Sequence, residues 1–244
     1  MARIEYKLGS SGKPVKEIQM KLKRRQISSF WLPEDGFFGQ ETERAVMEFQ
    51  RSEWLIEDGV VEATTWNALM GTEEIWPILH QVPFIAQEND SQCYAACTAM
   101  ITQSSIPEVI NRVPSTLFSE EGLRNYPEYS YQAAYEKMEE FAFAFGLEYQ
   151  LFSQSLTPAA IYPILAEGPA MVEIPENPRT FFQGEGSEGH WVVLAGIRGG
   201  INASGEETLV RVYDPWPSGQ GAKRSVIFSR WNDWPGLYRV FWKR

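Results

Sequence analysis

Cysteine and histidine are scarce in this chain, with two of each, and the shortage narrows its chemistry. Cys93 and Cys97 stand four residues apart in what reads as a helix. A bridge over so short a helical loop would distort the backbone, so free thiols are expected and a structural disulfide is not. With only His80 and His190 available, a tetrahedral zinc site would have to draw on both cysteines, His190 and an acid. That spacing is unlike the usual zinc patterns, and neither metal nor cofactor is expected. Basic residues are also short, 22 against 32 acidic, for a net charge of −10 and a pI near 4.9. Such a balance argues against nucleic acid and anionic membrane surfaces as partners. No apolar run approaches the roughly 18 residues that a membrane-spanning helix needs, and Met1 to Ser10 has no signal-peptide core.

What is present suggests two units. A length of 244 residues suffices for one large domain or two modest ones, each with a core. Charge is unevenly divided: residues 1–71 hold 10 Lys/Arg against 11 Asp/Glu, whereas 72–244 hold 12 against 21.

In the first unit, residues 1–72, Val15, Ile18 and Leu22 recur at helical spacing after the loop Gly9-Ser10-Ser11-Gly12. Ala45, Val46 and Phe49 do the same behind Thr42, and a third short helix is expected from Thr64, with Trp66 and Leu69 facing inward. The turns before the second and third helices echo each other, Asp35-Gly36…Gly39…Thr42 and Asp58-Gly59…Thr64, with glycines suited to positive φ. A small all-α three-helix bundle follows. From Leu8 to Leu69 these residues, together with Gln19, Phe38, Gln50, Leu55 and Val61, resemble the bacterial peptidoglycan-binding domains of the three-helix type. The resemblance implies binding to cell-wall peptide or glycan. Most of the matching positions serve folding, and no ligand residue is singled out. Residues 73–81, with Trp76-Pro77, read as a linker, and His80 within it as an exposed or packing side chain.

Residues 82–244 read as an α+β domain, helical first and then stranded. Tyr131 to Phe145 has helical spacing and ends at Gly146, a C-cap. Pro107, Pro114 and Pro127 punctuate the stretch before it. Strands are expected at Ala170–Ile174, His190–Ile197, Leu209–Tyr213, Ser225–Phe228 and Tyr238–Trp242. Within this domain Gln87 precedes Cys93 by six residues. Small residues and good helix formers follow Cys93, so a helix opening there would aim its free N–H groups and positive dipole end at the sulfur. Those influences favour the thiolate, and Gln87 would supply an oxyanion donor. The competing reading is a buried cysteine in a small-residue helix. Cys97 is the rival nucleophile, although a buried apolar role suits it better.

The base comes from a hairpin. If the strands around Gly199–Gly205 are symmetric about Asn202, His190 lies opposite Asp214, and directly paired residues share a face. An acid so placed can orient an imidazole and stabilise its charge. A bulge in the loop would shift that register. Taken separately, His190 could cap a strand and Asp214-Pro215 could open a turn.

With Gln87, Cys93-Tyr94-Ala95-Ala96, Gly168-Pro169-Ala170, Gly189-His190-Trp191-Val192-Val193 and Tyr213-Asp214-Pro215-Trp216 in view, the domain resembles the papain-like cysteine proteases. It looks closest to a bacterial branch that includes secreted effector proteases of plant pathogens, and is more distantly similar to bacteriocin-processing peptidases. Tyr94 stands where many members carry Trp, and Ile101 to Leu165 shows no motif that fixes specificity. The resemblance implies Cys93 as nucleophile, His190 as general base and acid, Asp214 as its orienter, and Gln87 with the Cys93 N–H as oxyanion donors. It also implies a bacterial hydrolase acting on peptidoglycan or on protein, with an immunity or inhibitor protein as a further partner. A lytic enzyme and an exported effector or toxin both fit. Export by a non-classical or dedicated secretion route is expected, otherwise a cytoplasmic location. A wall-binding adaptor that only recognises peptides is the non-enzymatic alternative.

Overall fold

A computed structural model describes residues 5–27, 31–89, 91–117, 131–152, 156–175, 189–202, 204–231 and 238–244; Pro127 lies outside them. The first unit contains α1 (Lys13–Arg24), α2 (Gln40–Ser52) and α3 (Ala63–Met70). Val15, Ile18, Leu22, Ala45, Val46 and Phe49 are fully buried, as the helical spacing requires. It is not all-α. Strands β1 (Glu5–Tyr6) and β2 (Val61–Glu62) pair antiparallel, Tyr6 with Val61, a ladder too short to carry a period-2 signal.

The echoed turns are built around two buried glutamines. Gln19 Nε2 donates to Asp35 Oδ1 (3.0 Å), the Phe37 carbonyl (2.9 Å) and Thr42 Oγ1 (3.1 Å), and its Oε1 accepts from Gly36 N–H (2.9 Å). Gln50 repeats this with Asp58 Oδ1 (2.8 Å), the Val60 carbonyl (2.9 Å), Thr65 Oγ1 (3.3 Å) and Gly59 N–H (2.8 Å). The counterpart of Thr42 is therefore Thr65, one residue beyond the expected Thr64. Each amide satisfies a tight turn that would otherwise bury unpaired backbone groups.

The second unit is a mixed α+β structure around an antiparallel sheet. Its strands are β3 (Ile75–Leu79), β4 (Glu148–Phe152), β5 (Ala170–Pro175), β6 (Gly189–Gly199), β7 (Thr208–Asp214), β8 (Ala222–Ile227) and β9 (Tyr238–Trp242), in the order β4-β9-β5-β6-β7-β8 with β3 also on β6. Its helices are α4 (Cys93–Thr102), α5 (Ile106–Arg112), α6 (Tyr131–Phe145), α7 (Pro158–Glu167) and α8 (Phe228–Trp231). They are not gathered into one half. The first three pack on the face of Trp191, Val193 and Ala195, the last two on the face of Val192, Leu194 and Ile197. Burial on both faces explains why β6 reads as a nearly unbroken apolar run instead of an alternating one. Two strands escaped the sequence reading. β4 (Glu-Tyr-Gln-Leu-Phe) buries only Leu151 well, and β3 lies in what reads as a linker. There, Gly196 lets the β3 backbone approach, since a Cβ would sit 2.4 Å from the Ile78 carbonyl. The expected strand 225–228 instead spans Ala222–Ile227, and Phe228 opens α8.

The register of β6 on β7 changes partway. Ile197 pairs with Val210 and Gly199 with Thr208, yet Leu194 pairs with Val212 and Val193 with Tyr213. Ala195 is the extra residue, a β-bulge. Its carbonyl accepts from the His80 backbone N–H (2.8 Å), and the His80 ring is fixed by the Leu165 carbonyl (2.7 Å).

Arg198, three residues beyond the bulge and 2% exposed, ties the two units together. It forms paired bonds to Glu73 (2.7 and 2.8 Å), a contact with Glu53 Oε2 (3.2 Å), and lies 5.0 Å over the Trp54 ring. Leu209 and Ile227 join the core of the first unit. Truncating one member of such a buried pair leaves the other uncompensated, at a typical cost of about 3–5 kcal/mol. Arg198→Ala is expected to lower unfolding stability by about that amount. Urea denaturation checks it, and an unchanged midpoint would contradict the anchoring role.

Candidate active site

Cys93 is the first residue of α4 and is partly exposed. Ala96 N–H closes the first helical bond, to the Gln92 carbonyl, and no side chain caps the helix. The N–H groups of Cys93, Tyr94 and Ala95 therefore have no partner within the helix. Cys97, one turn on, is fully buried, and its Sγ donates to the Trp191 carbonyl (3.2 Å). Burial, with Cys93 and Asp214 nearby, pushes its thiol well above the ordinary range. Cys97 is thus a packed, protonated side chain. Burial, with Cys93 adjacent, likewise pushes Tyr94 up to about 12.

His190 and Asp214 meet, but not as directly opposed residues. Continued past Val193–Tyr213, the register sets Asp214 across from Val192, so His190 is its diagonal neighbour on the same face. Diagonal pairs lie roughly 7–8 Å apart at the backbone, within reach of long side chains. His190 Nε2 and Asp214 Oδ1 are 2.7 Å apart, with the two side chains 13% and 8% exposed. The expected direct pairing is therefore corrected by two residues, and an even shift keeps both on one face. With Nε2 on Asp214, Nδ1 is the remaining ring nitrogen, and the Cys93 sulfur is near enough to the ring to raise its pKa.

Electrostatics follow from these neighbours. Burial opposes a charged His190 ring, yet the Asp214 hydrogen bond and the Cys93 sulfur outweigh it, raising the pKa from 6.5 to about 9. Burial likewise opposes the Asp214 carboxylate. The His190 bond and charge, the Trp216 N–H (3.0 Å) and Arg224 prevail and hold it below its ordinary value. Arg224 Nη2 lies 2.7 Å from Asp214 Oδ2. Nothing in sequence linked Arg224 to this site. The signal was there in the β7–β8 ladder, where Asp214 pairs with Ala222 and Arg224 is again the diagonal neighbour.

Gln87 is 1% exposed and is held by the loop that follows Asp214. Its N–H donates to the Pro215 carbonyl (3.0 Å), and its carbonyl accepts from Gly219 (2.7 Å). Gly221 lacks a Cβ that would sit 2.4 Å from Phe84, just upstream. The Gln87 amide donates to the Asn89 carbonyl (2.7 Å), and among the described residues its second N–H and its buried Oε1 have no hydrogen-bond partner. The structure thus brings Cys93, His190 and Asp214 together and fixes Gln87 to the same framework, with its observed side-chain bond going to Asn89.

Residues 11–69 match the family model described as "Putative peptidoglycan binding domain". They form a domain of that family. Among solved structures, a fused Zn-dependent amidase/peptidase/peptidoglycan-binding domain-containing protein from Clostridium acetobutylicum is 40% identical over 28% of this chain, with a TM-score of 0.25. The chain spans only 29% of that protein. The N-terminal domain of SleB is 31% identical over 29% of this chain and 94% of its own, with a TM-score of 0.27. The peptidase domain of Streptococcus ComA, a bifunctional ABC transporter involved in quorum sensing, is 14% identical over 66% of this chain and 97% of its own (TM-score 0.39). At TM-scores this low these are likenesses and no more. No curated protein matches the chain.

An imidazole with a pKa of about 9 is charged at neutral pH and loses its proton only as pH rises through that value. With only two histidines in the chain, ring NMR can follow His190 directly. It is expected to titrate near 9, and lower in Cys93→Ala, because the sulfur is one of the groups raising it. Titration near the ordinary 6.5 in the intact protein would contradict the arrangement.

Proposed function

We propose that the chain is a papain-like cysteine hydrolase that cleaves an amide bond, directed to the bacterial cell wall by its first unit. The observation that carries this reading is Cys93 opening α4 beside His190, with His190 2.7 Å from Asp214. Cys93 attacks the carbonyl carbon as a thiolate. The charged His190 donates its proton to the departing amine, then as a neutral base takes one from the water that releases the acyl group. Asp214 holds the ring's tautomer and stabilises its charge. The developing oxyanion is met by the Cys93 backbone N–H and the remaining amide N–H of Gln87, a contribution of about 3–4 kcal/mol per donor in comparable enzymes.

The peptidoglycan-binding family of residues 11–69 favours the wall as substrate, since binding there raises its local concentration. On this reading the protein works outside the cytoplasm, as a lytic enzyme or exported toxin. Digestion of purified peptidoglycan is expected to release new stem-peptide fragments, detected by mass spectrometry, and Cys93→Ala to release none. Absence of fragments with cleavage of denatured protein would sink the wall substrate and leave a protein-directed peptidase. Fragments from Cys93→Ala would refute the nucleophile. If neither substrate is cut and a thiol-directed peptidase probe leaves Cys93 unlabelled, the adaptor reading stands instead.

A further inference from the structure

We propose that Arg224 is a positioning residue for the Cys93–His190–Asp214 site, fixing the Asp214 carboxylate so that one oxygen faces His190; this rests on the hydrolase reading above. The argument begins from the lone pairs of that carboxylate. Oδ1 receives both His190 (2.7 Å) and the Trp216 backbone N–H (3.0 Å), while Oδ2 receives Arg224 Nη2 (2.7 Å). Three donors from three separate elements fix the plane of a group that otherwise turns freely about its last side-chain bond. Among the described residues only Arg224 holds Oδ2, and without it the carboxylate can turn away from the ring.

The groups facing Asp214 are His190 from β6, Arg224 from β8, the Trp216 N–H from the following loop, and the Cys93 thiol of α4 beyond the ring. Lys223, next to Arg224, belongs to the other face. Its Nζ lies 5.2 Å over Phe84 and 5.0 Å over Tyr213. The competing explanation is an ordinary surface ion pair, because the Arg224 side chain is 58% exposed, and exposed pairs generally contribute little. Two features separate the cases. Asp214 itself is 8% exposed, so its carboxylate has few alternative partners, and any benefit from Arg224 must pass through Asp214 to reach Cys93.

Loss of carboxylate orientation leaves the His190 ring less firmly held beside Cys93, so Cys93 becomes a poorer nucleophile.

The test is the rate of Cys93 alkylation by iodoacetamide as a function of pH, read at residue level by mass spectrometry, with buried Cys97 as internal control. Arg224→Gln is expected to slow alkylation at mildly acidic pH about two- to fivefold, in keeping with an exposed charge, and Arg224→Lys to restore most of it. In an Asp214→Asn background, Arg224→Gln is expected to add nothing, because the two residues act in series. No effect of Arg224→Gln on the wild-type profile, or an equal effect in both backgrounds, overturns the proposal. Should wild-type Cys93 alkylate no faster than Cys93 in His190→Ala, the ion pair fails and the role of Arg224 falls with it. A fast wild type with an indifferent Arg224→Gln removes Arg224 alone.

Discussion

One extra residue in β6 decides whether His190 and Asp214 can meet. Beyond the bulge the ladder pairs Ile197 with Val210 and Gly199 with Thr208. Carried straight on, that register would set Val193 against Asp214 and put His190 on the opposite face, because side chains alternate. Ala195 absorbs one residue, Leu194 then pairs with Val212, and His190 and Asp214 fall on one face at diagonal positions. The bulge is held in turn. Its carbonyl takes the His80 N–H, and the β3 backbone can lie against β6 there only because Gly196 has no Cβ. A segment that reads as a linker thus supports the geometry of the site from behind.

The same strand organises the charges. His190 sits at one end of β6 and Arg198 at the other, and β3, β5 and β7 all pair with it. At the site end charged groups alternate in sign, from His190 through Asp214 to Arg224, with the Cys93 sulfur near the ring. That order explains why burial does not neutralise His190 or Asp214. For both, desolvation is the largest influence and opposes charge, and the partners overcome it only together. Cys97 shows the alternative. One turn along the same helix, with a backbone carbonyl and no cation beside it, the thiol stays protonated.

Features with a short-range physical signature were legible in the sequence. The three helices of the first unit follow from apolar spacing, and the two echoed turns from Asp-Gly pairs, although Gln19 and Gln50, which unite those turns, gave no sign of their shared role. The five later strands were readable because β-branched and aromatic runs stand between turn residues. Non-local pairing was harder. The register of β6 on β7 depends on a bulge that a symmetric loop cannot reveal, and β3 forms a strand because Gly196 and the edge left open beyond β5 admit it. Arg224 was hidden for the same reason, since its partner is set by a second ladder and not by proximity in sequence. Side-chain detail was least legible of all, as the Gln87 bond to Asn89 illustrates.

The anchoring of the first unit bears on how wall binding and hydrolysis would combine. A module on a flexible tether raises local concentration but leaves the site free to sample many bonds. Here Arg198 is bound to Glu73 and Glu53, the Trp54 ring lies against it, and Leu209 and Ile227 of the sheet complete the core of the first unit. Arg198 shares its strand with His190. A ligand held by the first unit would therefore be presented at a set offset from Cys93, and the distance along the polymer between the bound element and the cut bond becomes part of the specificity. Under the proposed function, the inter-unit contacts take part in selecting the bond.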